Sequence, residues 1–248
     1  MIILKSSQEI ERMKNSCQIV AETLEMLRQM IRPGITTLAL DRFAESHARK
    51  CKAEPAFKGY SGYPFSLCCS VNNQVVHGFP TNKELESGDI LSIDFGVVLD
   101  GFYGDAAITV PIGAVGENAQ RLLKITEEAL YKGIEKATVE HNLSDISAAV
   151  QKHAEGSGFS VVREFVGHGI GRSLHESPQV PNFGKPGRGV KLKQGMVLAI
   201  EPMINEKGHA VKVLADGWTA VTLDGGLSAH FEHTVAITEN GPVILTAL

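Results

Sequence analysis

Three carboxylates lie in segments that are otherwise apolar. Asp94, Glu201 and Glu232 each stand within, or at the start of, a short run rich in Val, Ile and Leu, the pattern of a buried β-strand. An ionised carboxylate in such a strand costs several kcal/mol or more unless a cation or hydrogen bonds compensate its charge. None of these runs contains a lysine or an arginine, so the pattern favours a bound cation. The simpler alternative is that the acids are unrelated and exposed at strand ends.

Hairpin geometry places a fourth carboxylate, Asp105, close to Asp94. The pair Asp100-Gly101 between two apolar runs is a strong hairpin-turn signal. A two-residue turn puts position 105 opposite Gly96 and diagonal to Asp94, whereas a four-residue loop puts Asp105 and Asp94 directly opposite each other. Both registers leave the carboxylates on one face of the sheet, about 5 to 8 Å apart at Cβ. Like charges at this separation raise each other's pKa unless a multivalent cation lies between them.

Oxygen ligands of this kind suit one or two divalent cations. Four carboxylates carry a charge of about −4, which two divalent ions neutralise, and paired ions in proteins lie about 3.5–4 Å apart around a shared water or hydroxide. His168, within Gly167-His-Gly-Ile-Gly171, is the candidate nitrogen ligand, because flanking glycines let the backbone approach closely. The sequence therefore predicts a carboxylate-rich metal site.

Other catalytic patterns are missing or incomplete. There is no G-x-S-x-G nucleophile elbow, no P-loop and no H-E-x-x-H pair; the segment that begins at His175 lacks the second histidine. His230-Phe-Glu232 matches the H-x-E of zinc deaminases, but no P-C-x-x-C accompanies it. The glycines at 167–171 stop short of the dinucleotide-binding fingerprint.

Composition narrows the classes of partner. The chain has 248 residues, 43% of them hydrophobic, and a formal net charge of −4, so a nucleic acid such as DNA is not the expected partner. No run of about 18 apolar residues predicts a membrane span, and no secretory signal is recognised at Met1. Four cysteines without a C-x-x-C pair predict free thiols and a cytoplasmic location.

The elements expected to hold these residues alternate between helices and strands. Ser6 and Glu9 have capping-box spacing before a long amphipathic helix that ends at Pro33-Gly34, and Thr36 or Thr37 caps a second helix. Strand-like runs follow to about residue 111, and helical spacing returns at 117, with Ser144 as the predicted cap of a fourth helix. Strand-like runs then continue from Phe159. This order, and a faint echo of 35–38 in 143–146, suggest one continuous, duplicated α+β domain.

Several separated strings resemble those of bacterial type I methionine aminopeptidases, over essentially the whole chain. They are Gly59-Tyr-Ser-Gly-Tyr-Pro64, Asn72-Asn-Gln-Val-Val-His-Gly78, Asp94-Phe-Gly, Gly104-Asp105, Gly167-His-Gly-Ile-Gly-Arg172, His175-Glu-Ser-Pro, Glu201-Pro-Met and Phe231-Glu-His-Thr234. The short segment between Arg172 and Glu201 leaves no room for the insertion of type II enzymes. The resemblance implies the α+β pita-bread (creatinase/aminopeptidase) fold, in which two pseudo-symmetric halves surround a dinuclear metal site, with residues 1–248 as a single catalytic domain.

The resemblance also implies roles for individual residues. In it Asp94 chelates one metal ion, Asp105 and Glu232 bridge both, and His168 and Glu201 complete the second. Glu201 is also the expected proton shuttle, and His77 and His175 are the expected catalytic, substrate-contacting histidines. The implied pocket for the substrate side chain is formed by Tyr60, Tyr63, Cys68, Leu174 and Trp218. Leu174 stands where relatives carry Phe, and Phe57 where a Cys is common.

The implied reaction is removal of the initiator methionine from nascent polypeptides when the second residue is small. The same-class alternative is an Xaa-Pro aminopeptidase or prolidase, and the different-class alternative is a pita-bread protein that binds without catalysis. Hard oxygen ligands with one histidine accept two ions of Co, Mn, Fe(II) or Zn. A monomer is expected. The basic segment Lys185, Arg188, Lys191 and Lys193 is either an ordinary solvated loop or a contact to ribosomal RNA near the exit tunnel.

Overall fold

The computed structural model describes residues 1–248 and contains four α-helices and fifteen β-strands. The helices are α1 Ser7–Met30, α2 Thr37–Lys50, α3 Glu117–Ile134 and α4 Leu143–Gly156. The strands are β1 Glu54–Pro55, β2 Cys68–Val71, β3 Gln74–Val76, β4 Ile90–Leu99, β5 Phe102–Pro111, β6 Ser160–Val161, β7 Gly167–Gly169, β8 Glu176–Val180, β9 Val197–Ile200, β10 Met203–Asn205, β11 Val211–Val213, β12 Ala220–Thr222, β13 Ser228–His230, β14 Glu232–Thr238 and β15 Gly241–Ile244. No helix is both long enough and apolar enough to cross a membrane.

Local sequence determines where the helices begin. Ser6 and Glu9 form the predicted capping box of α1, and the Thr36 hydroxyl accepts a hydrogen bond from the first turn of α2. The prediction that Ser144 caps α4 is wrong. Asn142 is the cap: its backbone N–H donates to the carboxylate of Asp145, three residues further on, which is one half of a capping box. All four cysteines are free thiols, as expected.

The two halves of the chain repeat one arrangement. Each half begins with a pair of helices, α1 and α2 or α3 and α4, and continues into strands. The caps of the second helix in each pair, Thr36 and Asn142, both make an isolated β-bridge to a later segment, at Glu84 and Lys191. The duplication is therefore real, although the structural equivalence pairs residue 36 with 142 rather than with 144.

A nine-stranded sheet joins the halves. Its main path runs β1-β4-β5-β14-β9-β7-β8, with β2 added to β4 and β15 added to β14. Helices α1 and α2 cover the first half of the sheet, where Leu91, Ile93 and Phe95 are fully buried against α1 residues such as Leu27. A second core, which includes Leu130 and Ile200, lies where α3 and α4 meet β9 and β14. Burial of these apolar side chains holds the middle strands in fixed positions.

The β4–β5 hairpin has the shorter of the two predicted connections. Leu99 pairs with Phe102, so Asp100 and Gly101 form a two-residue turn. Both turn residues have positive φ, 50° and 76°, as a type I′ turn requires. In this register Asp105 faces Gly96, and Asp94 faces Ala107.

Candidate metal centre and substrate pocket

The five predicted metal ligands each lie on, or directly after, one of five neighbouring strands. In the order of the sheet, β4 carries Asp94, β5 carries Asp105, β14 begins with Glu232, Glu201 directly follows β9, and β7 carries His168. These residues are far apart in the chain but lie on consecutive strands of one sheet.

Strand pairing places the five residues on the same face. Asp94 and Glu232 both pair with Ala107, and they therefore lie in one row across three strands. His168 pairs with Ala199 on β9, and Ala199 lies two residues before Glu201. Because side chains alternate between faces, residues two apart on a strand point the same way. The alternation and the pairing together bring the four carboxylates and the imidazole to one surface.

The donor atoms converge. Single donor atoms of Asp105, His168 and Glu232 all lie within 4.8 Å of one another, and His168 Nε2 lies 3.5 Å from Glu201 Oε1. Asp105 and Glu232 are 3% and 2% exposed, which contradicts the alternative of unrelated acids exposed at strand ends.

The donor set fits divalent cations. Asp94 Oδ1, Asp105 Oδ1 and Glu232 Oε1 are buried oxygens without a hydrogen-bond partner. Buried polar atoms almost always have a partner, and a carboxylate that lacks one needs a cation. Carboxylate oxygens with one imidazole nitrogen are ligands that divalent metal ions of the Mn, Fe, Co and Zn group accept.

Burial and mutual repulsion shape the ionisation of the acids. Burial, and then the neighbouring charge of Glu201, raise the pKa of Asp94 to about 7. Burial raises the pKa of Asp105 and of Glu232 well above the usual range, and the charges of nearby carboxylates add to the effect. Burial likewise raises the pKa of Glu201. Divalent cations reverse this effect, because they stabilise the ionised forms.

His168 presents an unprotonated Nε2 to the cluster. Burial lowers its pKa to about 3, so the imidazole is neutral at pH 7. Its Nδ1 lies 2.9 Å from the carbonyl oxygen of Gly169, which can only accept a hydrogen bond. The proton of the neutral ring is therefore on Nδ1, and the Nε2 lone pair faces Glu201.

The structure adds one histidine that the sequence patterns missed. His230 is 2% exposed, its Nε2 has no hydrogen-bond partner, and this atom lies 3.6 Å from Glu201 Oε2. Its position two residues before Glu232 was the available signal, since period-two alternation favours a shared face.

A cavity of about 130 Å³ opens beside the carboxylates. Besides the five metal-ligand candidates, it is lined by Phe57, Tyr60, Tyr63, Cys68, His77, Leu174, His175 and Trp218. All the predicted pocket residues therefore come together. Tyr63 is 2% exposed, its hydroxyl donates to the Gly78 carbonyl oxygen at 3.1 Å, and its ring meets Trp218 edge-on at 5.1 Å between centroids. The cavity thus combines a group of apolar and aromatic side chains with the carboxylates and three histidines.

Two histidines of the cavity are held in place and neutral. Burial lowers the pKa of His77 to about 4, and its ring packs edge-on against Phe165 and Trp218. Partial burial lowers the pKa of His175, whose Nδ1 is hydrogen-bonded to the Tyr60 hydroxyl at 2.7 Å. When that hydroxyl donates, the ring proton lies on Nε2 and can be donated to a substrate.

The fold and the donor set define a metal-dependent hydrolase, and the comparisons with known proteins agree. The model of "Metallopeptidase family M24" matches residues 11–239, and the chain belongs to this family. A methionine aminopeptidase of Clostridium perfringens is 59% identical over 248 residues, covering all of both chains. Methionine aminopeptidase 1 of Bacillus subtilis is 52% identical over 99% of both. These relatives place the chain among the bacterial type I methionine aminopeptidases, as the sequence motifs predicted.

Solved structures confirm the pita-bread fold. The crystal structure of a methionine aminopeptidase from Thermotoga maritima has a TM-score of 0.98 and 48% identity, and each chain covers all of the other. A prolidase from Pyrococcus furiosus has a TM-score of 0.81 at 24% identity and covers 99% of this chain and 66% of its own. The second likeness shows the shared fold alone.

Proposed function

We propose that this protein hydrolyses the peptide bond after an N-terminal methionine, with divalent metal ions as cofactors. The observation that carries the proposal is that a buried carboxylate–imidazole cluster and a group of apolar and aromatic side chains line the same cavity. A peptidase specific for one terminal residue needs both, since the cavity selects the side chain and the cluster acts on the adjacent bond. The high identity to methionine aminopeptidases supports the same reaction.

We assign two ions to the cluster, held by Asp94, Asp105, His168, Glu201 and Glu232. Three orphaned carboxylate oxygens and the inward-facing Nε2 of His168 support this assignment. The bound ions supply Lewis acidity and a water nucleophile that is activated at neutral pH. Which of Co, Mn, Fe(II) or Zn serves best is tested by restoring each to the metal-free enzyme.

The chain itself contributes proton transfer and charge stabilisation. Glu201 lies at the cluster and at the cavity wall, where its carboxylate can take a proton and return it to the leaving amine. His77 and His175 line the same cavity as neutral imidazoles, and each can donate a hydrogen bond to the substrate peptide unit.

The substrate methionine is assigned to the part of the cavity lined by Tyr60, Tyr63, Cys68, Leu174 and Trp218. An unbranched thioether fits an apolar and polarisable lining, where sulfur packs against aromatic ring edges. Leu174 is 2% exposed and Phe57 8%, so both residues that depart from the family pattern belong to this wall. They define the pocket shape of this particular chain.

Peptides with a small second residue are expected to be the good substrates. With methionine in a narrow cavity and its amino group at the cluster, the second side chain must fit beside His77, whose ring is fixed between Phe165 and Trp218. Met-Ala-Ser should therefore be cleaved readily and Met-Lys-Ser poorly, as measured by release of free methionine. An Xaa-Pro peptide, assayed by release of its first residue, tests the Xaa-Pro peptidase alternative. Equal turnover of the Ala and Lys peptides would contradict the crowding argument.

We further propose that residues 1–248 act as one monomeric catalytic domain in the cytoplasm, on nascent polypeptides. Lys185, Arg188, Lys191 and Lys193 are all exposed, although Lys191 also bonds the Glu140 carbonyl oxygen. Such a cluster can supply salt-dependent contacts to ribosomal RNA. Reversing all four charges is expected to remove low-salt co-sedimentation with ribosomes and leave peptide hydrolysis unchanged. Co-sedimentation that survives the reversal would make this segment an ordinary solvated loop.

A further inference from the structure

A buried ion pair lies outside the metal cluster and joins the N-terminal segment to β8. Lys5 Nζ is 2.6 Å from Glu176 Oε2, and the two side chains are only 3% and 6% exposed. Burying both charges requires close geometry and further hydrogen bonds, so such a pair is poorly explained as a source of stability alone. Every other lysine or arginine ion pair of the chain involves side chains that are much more exposed.

The position of Lys5 is fixed by its surroundings. Its backbone N–H donates to the Gly195 carbonyl oxygen at 2.7 Å, and α1 begins two residues later at Ser7, directly after the Ser6 cap. Its Nζ also donates to the Ile3 carbonyl oxygen at 3.2 Å. The aliphatic part of the side chain passes over Gly171, where a Cβ would collide with Lys5 Cε. These contacts therefore hold the Lys5 ammonium group in one position.

Glu176 connects the Lys5 ammonium to the backbone of residues 172–176. While Oε2 binds Lys5, Oε1 accepts hydrogen bonds from the backbone N–H groups of Arg172, at 2.8 Å, and Ser173, at 3.2 Å. The carboxylate thus closes a short loop, and His175 directly precedes it in the chain. The His175 ring then lies against the His168 ring, 4.3 Å between centroids, and bonds the Tyr60 hydroxyl.

We propose that Lys5 is a positioning residue for His175, acting through Glu176. The ammonium holds the carboxylate, the carboxylate holds the backbone of 172–176, and this backbone sets where the His175 imidazole stands beside the metal cluster. The inference rests on the role proposed for His175. A donor displaced by about 1 Å can lose up to about 100-fold in rate, so the pair has a direct catalytic consequence.

The test is a double-mutant cycle between Lys5→Met and His175→Ala in the metal-loaded enzyme. Lys5→Met alone is expected to lower kcat for Met-Ala-Ser about 10- to 100-fold, with KM and Mn²⁺ stoichiometry unchanged. In the His175→Ala background, the same change should alter kcat by less than about twofold, because the donor that Lys5 positions is already gone. Lys14→Met, which removes an exposed pair with Glu11 on α1, is the matched control and should leave kcat unchanged.

The melting temperature of Lys5→Met is measured as well, because this variant leaves the buried Glu176 carboxylate without its cation and can be less stable. If the melting temperature falls below the assay temperature, Lys5→Met/Glu176→Gln replaces it. This double variant removes the unpaired charge and keeps an oxygen for the Arg172 and Ser173 amides, and the same kcat loss is expected. Normal kcat, loss of Mn²⁺, or an equal kcat loss with and without His175 would each overturn the inference. A near-normal kcat of His175→Ala alone would instead overturn the role proposed for His175.

Discussion

Asp105→Asn is expected to abolish peptide hydrolysis together with binding of the metal pair. Asp105 is 3% exposed, its Oδ1 has no protein partner, and its donor atoms converge with those of His168 and Glu232. An amide keeps the shape of the carboxylate, but it loses the negative charge and offers a single oxygen. It therefore cannot bridge two cations as a carboxylate can.

Calorimetric titration of the metal-free variant with Mn²⁺ measures this effect directly. The expected result is loss of at least one site, with a far-UV spectrum like that of the unmodified protein. Asp41→Asn is the matched control, because Asp41 is also buried but accepts hydrogen bonds from the Ser66 and Leu67 amides, which the Asn oxygen can still accept. Unchanged stoichiometry and affinity in Asp105→Asn would remove Asp105 from the metal site.

His175→Ala and His168→Ala are expected to lose activity for different reasons, the first through a lower kcat and the second through weaker metal binding. Negative charge develops on the carbonyl oxygen of the substrate as its carbon becomes tetrahedral, and an imidazole N–H placed there stabilises this state more than the ground state. Loss of the His175 donor should therefore lower kcat about 10²–10³-fold, which corresponds to roughly 3–4 kcal/mol. His168, whose Nε2 faces Glu201 and whose Nδ1 is held by the Gly169 carbonyl, should instead be needed for metal affinity.

Two measurements on both variants separate the roles. His175→Ala should bind Mn²⁺ with the stoichiometry of the unmodified enzyme and turn over slowly even when saturated with metal. His168→Ala should require a higher Mn²⁺ concentration and regain part of its activity as metal is added. If His175→Ala loses metal, or keeps a kcat near that of the unmodified enzyme, the donor role is wrong.

The sequence by itself determined the parts of the fold that depend on neighbouring residues. The capping box of Ser6 and Glu9, the end of α1 before Pro33-Gly34 and the turn at Asp100-Gly101 are all local. Such signals act over three or four residues, so they can be read without knowledge of the rest of the chain. The same holds for the anomaly of acids in apolar runs, because the cost of burying a charge does not depend on which strand lies beside it.

The sequence also identified the family and, with it, the candidate residues. The separated motifs predicted the pita-bread fold and membership among type I methionine aminopeptidases, and the comparisons confirm both. The roles of the individual side chains stay predictions, and the variants above test them.

Only the tertiary structure decided how distant segments meet. The choice between the two hairpin registers, the strand order β4-β5-β14-β9-β7 and the approach of His230 to Glu201 depend on pairing across the whole chain. The cap of α4 was mispredicted for a related reason. Asn142 and Ser144 are both good caps by type, and the bridge from Asn142 to Lys191 lies almost fifty residues away.

The contact between Lys5 and Glu176 is the clearest example of a long-range contact that the sequence does not predict. A lysine near the start of a chain and a glutamate 171 residues later carry no common sequence signal, and surface positions are the usual place for both types. Packing α1 against the sheet brings Lys5 over Gly171 and excludes water from the pair. Local chemistry thus selects the elements and the reactive side chains, whereas long-range packing selects which of them touch.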